Sequence, residues 1–122
     1  MSTASTALDS ANVVVVAGTL SSPPRRRILP SGEELVSFDL TTRGAAGTCS
    51  VPVAWFSPGS LVDRLDTGSE VVVAGHLRRR FFRAGGATQS RTEVVAARVV
   101  DGNRRAAATK LRADVGTKLT AG

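Results

Sequence analysis

The sequence is poor in the residues that carry catalysis, bind metal ions or form disulfides. It has one histidine, one cysteine and no tyrosine in 122 residues. The single Cys49 cannot form an internal disulfide, so no oxidising compartment is implied. Neither His76 nor Cys49 belongs to a metal-ligand spacing or has an evident catalytic partner. We therefore expect no enzymatic activity, no metal site and no cofactor.

Long hydrophobic runs are also missing. No apolar stretch approaches the roughly 18 residues that a membrane-spanning helix needs. Residues 1–11 are rich in serine, threonine and alanine, without the basic end or the hydrophobic stretch of a secretory leader. Such small polar residues bury too little surface to offset the entropy lost on ordering. We expect a flexible N-terminal arm on a soluble, cytoplasmic protein that does not associate with membranes.

Arginine is the residue that the sequence has in abundance. The formal net charge is +6, and 14 of the 16 basic residues are arginine. The planar guanidinium group of arginine suits both phosphate binding and stacking on flat rings. A chain with this charge is expected to bind polyanions.

Residues 12–101 have the patterning of one small β-rich domain. Period-two alternation and β-branched runs predict five strands, near residues 13–17, 36–41, 48–56, 70–82 and 91–100. A short helix is predicted between the third and fourth strands, within residues 57–68. From Gly102 onward the apolar patterning fades and five basic residues accompany one acid. Residues 102–122 are therefore expected to form a basic, disordered tail, or at best a transient helix.

The first predicted strand is apolar on both faces, because Val13 to Val16 follow one another without a polar residue. The core of a small barrel covers only one face of such a strand, so the other face needs a helix or a second subunit as cover. A second subunit is the more economical interpretation. Val14 and Val16 are accordingly the predicted oligomer interface.

The fourth predicted strand combines arginines with aromatic residues as it approaches Gly85 and Gly86. Side chains alternate between the two faces of a strand, so Leu77 is expected to point inward with Val71 and Val73. The outward face then carries four residues: His76, Arg78, Arg80 and Phe82. Guanidinium groups beside an aromatic ring on one exposed surface indicate a nucleic-acid contact.

Two features allow more than one interpretation from the residues alone. Trp55 is either a core residue or a platform for base stacking, and burial is the commoner outcome for a lone tryptophan in a small domain. Arg25, Arg26 and Arg27 follow Pro23 and Pro24 on an exposed connection. They either contact phosphate or form a solvated basic loop.

The order of the predicted elements fits a five-stranded OB-fold barrel, an all-β fold. Six segments resemble the bacterial single-stranded DNA-binding protein family in order and spacing: NVVVVAGTL (12–20), Pro24 with RILPSG (27–32), FDLTT (38–42), VAW (53–55), GSEVVVAGHLR (68–78) and TEVVA (92–96). The resemblance implies a homotetramer of OB folds, located in the cytoplasm at the nucleoid. It also implies binding of single-stranded DNA without sequence preference, in replication, repair and recombination.

The resemblance also implies roles for particular residues. Trp55 and Phe82 stand where family members carry stacking aromatics, and Arg27 stands at the family's basic position before the turn. Arg78 and Arg80 share the strand that leads to Phe82. The candidate nucleic-acid contacts are completed by three further arginines: Arg43, Arg83 and Arg91.

The chain departs from the family in three ways. Ala46 and Cys49 stand where typical members have tryptophan, and the loop between the second and third predicted strands is short. The family's acidic C-terminal tip, which recruits partner proteins, is absent from the end at Gly122. These departures favour a short accessory paralogue that does not recruit proteins through such a tip.

Other functions are compatible with the same predicted barrel. One is a primosome-type OB accessory that mainly contacts a replication protein, and another is an RNA-binding OB protein. A third is a structural subunit that joins tetramers of a longer paralogue. The aromatics Trp55 and Phe82 favour nucleic-acid stacking over a purely structural role.

Overall fold

The computed structural model describes residues 10–121, so most of the predicted N-terminal arm, residues 1–9, lies outside the described residues. Within them the chain forms the following elements: β1 Val14–Leu20, β2 Arg25–Ile28, β3 Glu34–Gly44, β4 Gly47–Phe56, a 3₁₀ turn Ser60–Arg64, β5 Glu70–Ala84, β6 Ala87–Asp101 and α1 Arg105–Ala121. The 3₁₀ turn lies where the sequence predicts a short helix. No helix in this part of the chain has both the length and the hydropathy needed to cross a membrane.

Five of these strands close into a barrel. β1 pairs antiparallel with β5, β5 with β6, and β4 with β3, while β4 and β6 run parallel. Pairing of Thr19 and Leu20 with Thr41 and Leu40 joins β1 to β3 and closes the ring. The predicted five-stranded, OB-like barrel is therefore present.

The short strand β2 differs from the prediction, which placed Arg25 to Arg27 on an exposed connection. It pairs with residues 34–37 of β3, on the same edge of β3 that pairs with β1 further along. The two prolines that precede it, Pro23 and Pro24, lie outside the ladder, where a missing N–H does no harm. The consequence is that the three arginines are held at the sheet edge in a fixed register.

The inner face of the barrel is filled by side chains from all five barrel strands and by Val62 of the 3₁₀ turn. Phe38, Leu40 and Val73 are fully buried there. Val14 and Val16 pack against this cluster from β1. The prediction placed them on the outer face of the strand as an oligomer interface, whereas their side chains lie on the inward-facing side; assembly itself stays a prediction.

The outward-facing side of β1 is covered by helix α1. Val15 and Ala17 join Val72, Ala74 and Val100 under the helix, which contributes three residues spaced by three and four positions: Ala108, Leu111 and Val115. The prediction of a disordered tail is therefore wrong for Arg105–Ala121. The tail has little apolar content, but its few apolar residues fall on one helical face that fits a ready-made apolar surface.

Strands β5 and β6 continue beyond the barrel as a two-stranded ribbon, comprising residues 77–84 and 87–93. On one side β1 stops pairing at Gly75, and on the other β4 begins pairing at Val94. The tip is Gly85-Gly86, both with positive φ, a conformation that side chains rarely tolerate. Two residues beyond the last β1–β5 pair, the amide side chain of Asn12 donates to and accepts from the backbone of Leu77 at 2.8 Å.

Leu77, at the end of the barrel, is more exposed than its inward parity predicts. Leu77 lies on the inward-facing side of β5, as its parity predicts, and pairs with the buried Val94. It is nevertheless 46% exposed, because the ribbon has left the barrel at this point and nothing described faces it. Parity predicts the face of a strand but not where the core ends.

Candidate nucleic-acid interface

An open groove runs across the outer face of the sheet, over β2, β3, β4 and β6 to β5. Its volume is about 430 Å³. The floor is made of small side chains, among them Ser37, Pro52 and Ala54. Six arginines line it: Arg25, Arg26, Arg27, Arg78, Arg80 and Arg91. Five of them lie on the outer face, since cross-strand neighbours such as Arg25 and Ser37, or Arg80 and Arg91, point the same way. Arg26 has the opposite parity, because it pairs with the buried Val36, and it lines the groove from the edge strand β2.

Arg78 is tied to the only acid that lines the groove among the described residues, Glu93. The Glu93 side chain is buried, with 6% of the residue exposed. Arg78 donates to Glu93 Oε2 from Nη2 and from Nε, the latter at 3.1 Å. Its guanidinium group also lies 5.5 Å from the centroid of the Phe56 ring, a cation–π contact. Arg78 therefore neutralises a buried carboxylate and is only partly available to a ligand.

Arg80 and Arg91 lie directly opposite each other on β5 and β6. Like charges at such positions repel each other. Each has one long ion pair: Arg80 Nε is 3.7 Å from Glu93 Oε2, and Arg91 Nη2 donates a hydrogen bond to Asp39 Oδ1 at 3.4 Å. The Arg80 guanidinium also lies 5.7 Å from the centroid of the half-buried Phe82 ring. An anion placed between Arg80 and Arg91 would relieve their repulsion.

Arg26 differs from the other groove arginines because its hydrogen-bonding capacity is already used. It donates from Nε to Glu34 Oε2 at 2.6 Å and from Nη1 to Asp63 Oδ1 at 2.7 Å. These bonds raise the pKa of Arg26 above its ordinary value and lower the pKa of Glu34. Arg26 thus joins β2 and β3 to the 3₁₀ turn.

The remaining charges of the groove do not balance. Without Arg26, five arginines share two carboxylates, those of Glu93 and of Asp39, and Asp39 is 3.9 Å from Arg25. Arg27 is exposed and makes no ion pair within residues 10–121. The groove therefore carries an excess of about three positive charges, which favours an anionic, elongated ligand.

The structure brings together five of the predicted contact residues: Arg27, Arg78, Arg80, Arg91 and Phe82. Arg83 lies at the ribbon tip, where it donates to the Gly86 carbonyl oxygen at 3.4 Å. Arg43 lies at the far end of β3 beside Gly18, outside the groove.

Trp55 does not belong to the interface. It is 7% exposed and is part of the inner core cluster, so its assignment as a stacking platform is wrong in this structure. The alternation on β4 explains the outcome, since Val53 and Trp55 share the inward face while Ala54 and Phe56 lie on the other.

Sequence reasoning missed two residues of the site, Phe56 and Glu93, and left Arg25 open between a phosphate contact and a solvated loop. Phe56 follows Trp55 directly, so burying Trp55 places Phe56 on the groove face. Arg25 and Arg27 point to the same side of β2 because they are two residues apart. Only the pairing of β2 with β3 shows that this side is the groove face. Glu93 pairs with Arg78 across the ribbon. This pair could have been predicted only from the register of the β5–β6 hairpin.

Comparisons with known proteins agree with this architecture. No family model matches the chain, and no curated protein matches its sequence. A solved structure titled "Plasmodium falciparum SSB complex with ssDNA" has the same fold, with a TM-score of 0.65 and 20% sequence identity. The match covers 76% of this chain and 96% of that chain. At this level of identity the similarity establishes the fold.

Proposed function

We propose that this protein binds single-stranded DNA without sequence preference. The observation that carries the proposal is the groove on the outer face of the barrel, where five arginines share two carboxylates and lead to Phe82. Proteins that bind single strands combine a positive groove for the backbone with aromatic rings for the bases. The fold shared with an SSB solved together with ssDNA supports the same ligand.

The groove residues have different proposed roles. Arg27, Arg80 and Arg91 contact phosphates, since Arg27 has no ion pair among the described residues and the other two face each other with only long ion pairs, at 3.7 and 3.4 Å. Phe82 stacks on a base once the Arg80 guanidinium has turned from the ring to a phosphate. Arg78 and Glu93 hold the base of the ribbon in place. None of these contacts reads a base edge, which is why no sequence preference is expected.

The proposal extends to assembly and cellular role. A homotetramer that protects single strands during replication, repair or recombination, in the cytoplasm at the nucleoid, is what the sequence resemblance implies. Light scattering of the purified chain measures the assembly, and protection of a long single strand from nuclease digestion measures the role. The side chains of Val14 and Val16 pack inward, so we expect other side chains to form the assembly surface.

Fluorescence anisotropy with labelled oligo-dT tests the proposed ligand. For single strands, log K falls with log salt concentration with a slope of about 0.7 per neutralised phosphate. We expect the double substitution Arg80→Ala and Arg91→Ala to reduce the slope by roughly 1 to 1.5 and to weaken binding at low salt. Arg43→Ala is the matched control, because it removes an exposed arginine outside the groove.

Competition experiments decide between ligands. We expect unlabelled oligo-dT to displace the probe far better than duplex DNA, because bases in a duplex cannot stack on a protein ring. Equal competition by the duplex would mean that the groove binds charge alone. Stronger competition by oligo-rU would assign the site to RNA.

A further inference from the structure

The ribbon has a second face, and it does not belong to the groove. Its back face, defined here as Leu77, Arg79, Phe81 and Arg83, lies opposite Arg78, Arg80 and Phe82 because side chains alternate along β5. Phe81 is 66% exposed, although a phenylalanine ring is normally buried. The cross-strand neighbours of this face are small hydroxyl residues: Thr92 opposite Arg79, Ser90 opposite Phe81 and Thr88 opposite Arg83.

The back face contains no acid, in contrast to the groove. Arg79 makes no ion pair within the described residues, and Arg83 contacts only the Gly86 carbonyl oxygen among the interactions described. The two guanidinium groups flank Phe81 at two residues on either side, so about 14 Å separates the two Cα atoms. An exposed aromatic ring between two uncompensated cations matches a backbone with phosphates at intervals and a base between them.

The same charges decide which occupant the back face takes. A second copy of this chain would bring its own Arg79 and Arg83 against them, and like charges oppose such a contact. An anionic strand is attracted to both arginines and gains a ring to stack on. We infer that the back face of the ribbon is a second contact surface for the nucleic-acid strand, with Phe81 as its stacking residue.

This inference rests on the proposed function of the groove and extends it. A strand that follows the groove to Arg80 and Phe82 reaches the back face by passing around the ribbon, which is only two strands wide. A long oligonucleotide therefore contacts both faces of the ribbon. A short oligonucleotide binds only in the groove, which has the larger number of arginines. Binding thus depends on Phe81 only above a certain strand length.

The test compares Phe81→Ala with Ile28→Ala, using fluorescein-labelled oligo-dT of two lengths. One has about eight nucleotides, within the range of about 4–16 for one OB fold, and the other has about thirty, beyond that range. Ile28 is the matched control because it is equally exposed, at 66%, but lies on β2. We expect Phe81→Ala to weaken binding of the long oligonucleotide about tenfold, as loss of one stacked base does. The short oligonucleotide and the Ile28→Ala protein are expected to change less than twofold.

Each other outcome overturns the inference in a recognisable way. If Phe81→Ala leaves both lengths unchanged while Arg80→Ala weakens both, the back face is not a contact surface but the proposed groove survives. If Phe81→Ala weakens both lengths equally, Phe81 is part of the first site. If the protein binds neither oligonucleotide, the proposed function fails as well. If Phe81→Ala changes the mass of the DNA-free protein in light scattering, the back face is a protein interface.

Discussion

At the scale of single residues, the two arginines Arg78 and Arg80 look equivalent in sequence but have different tasks. Arg78 neutralises the buried Glu93 and packs on Phe56, while Arg80 lies farther from Glu93 and faces Arg91. Removing the partner of a buried charge is costly, because the charge remains in a poorly solvated place. The two side chains therefore differ in what they contribute, with Arg78 serving stability and Arg80 serving the proposed binding.

Alanine substitution at these two positions measures that separation. We expect Arg78→Ala to lower the free energy of unfolding by about 1–2 kcal/mol, less than for a fully buried pair because Arg78 is partly exposed. Arg80→Ala is expected to change it by less than about 0.5 kcal/mol, as at an ordinary surface site. Urea denaturation gives both values. Equal effects would show that Glu93 does not depend on Arg78.

The burial of Trp55 gives a second prediction at this scale. The indole is the single tryptophan of the chain and lies in the inner core. Its emission is expected to stay at the short wavelength of an apolar environment and to change little when oligo-dT saturates the protein. A fluorescence titration checks this. Strong quenching would mean that the indole reaches the bases and that the barrel rearranges on binding.

These residues also show what the sequence can predict about a site. The outward parity of Arg78, Arg80 and Phe82 follows from alternation and is present in the structure. The burial of Trp55 cannot be predicted in the same way. Alternation shows that Val53 and Trp55 share a face of β4, but it does not show which face is buried. That decision depends on the partners in the sheet, Val36 and Ala96 for Trp55, which are distant in sequence.

At the scale of elements, helix α1 covers the outer face of β1, which the sequence analysis assigned to a second subunit. It covers the outer apolar surface of β1, β5 and β6 with few side chains, of which Leu111 is fully buried. A helix of this length is marginal alone, so most of its stability must come from this docking.

Truncating Leu111 tests the docking. We expect Leu111→Ala to lower the free energy of unfolding by about 2–3 kcal/mol, near the low end for buried leucines because α1 lies at the surface. Lys110→Ala, at the exposed neighbouring position on the same helix, is the control and is expected to change it by less than about 0.5 kcal/mol. Thermal and urea denaturation report both. A negligible loss for Leu111→Ala would mean that the helix contributes nothing to the fold.

Elements differ in how well their sequence predicts them. The long strand β3 is predicted because apolar and polar residues alternate and one face is buried. β5 is predicted because it begins with a β-branched run, Val71 to Val73, and continues with alternating residues. The strand β2 is not, since its four residues are all exposed and only pairing with β3 makes them a strand. Helix α1 is not predicted either, because it has few apolar residues. These residues stabilise the helix only by packing on a surface that other elements form.

At the scale of the whole molecule, helix α1 covers an apolar surface that would otherwise be exposed. Deleting residues 103–122 exposes Val15, Val72 and Val100 on one continuous surface. Exposed apolar surfaces of this kind drive association. We expect the truncated chain to form larger species than the full chain at equal concentration, measured by light scattering. An unchanged mass would show that this surface tolerates water or is covered in another way.

The ribbon has one further consequence, for solubility. Beyond Gly75, the outer edge of β5 has no strand paired with it among the described residues, and past the Asn12 contact its backbone groups are open to another chain. Such an edge, with Phe81 exposed beside it, is a template for intermolecular sheet growth. The arginines at 78–80 and 83 prevent this by repulsion between copies. The charge that is proposed to attract a nucleic acid thus also keeps copies of the free protein apart, so we expect neutralising it in the absence of nucleic acid to precipitate the protein.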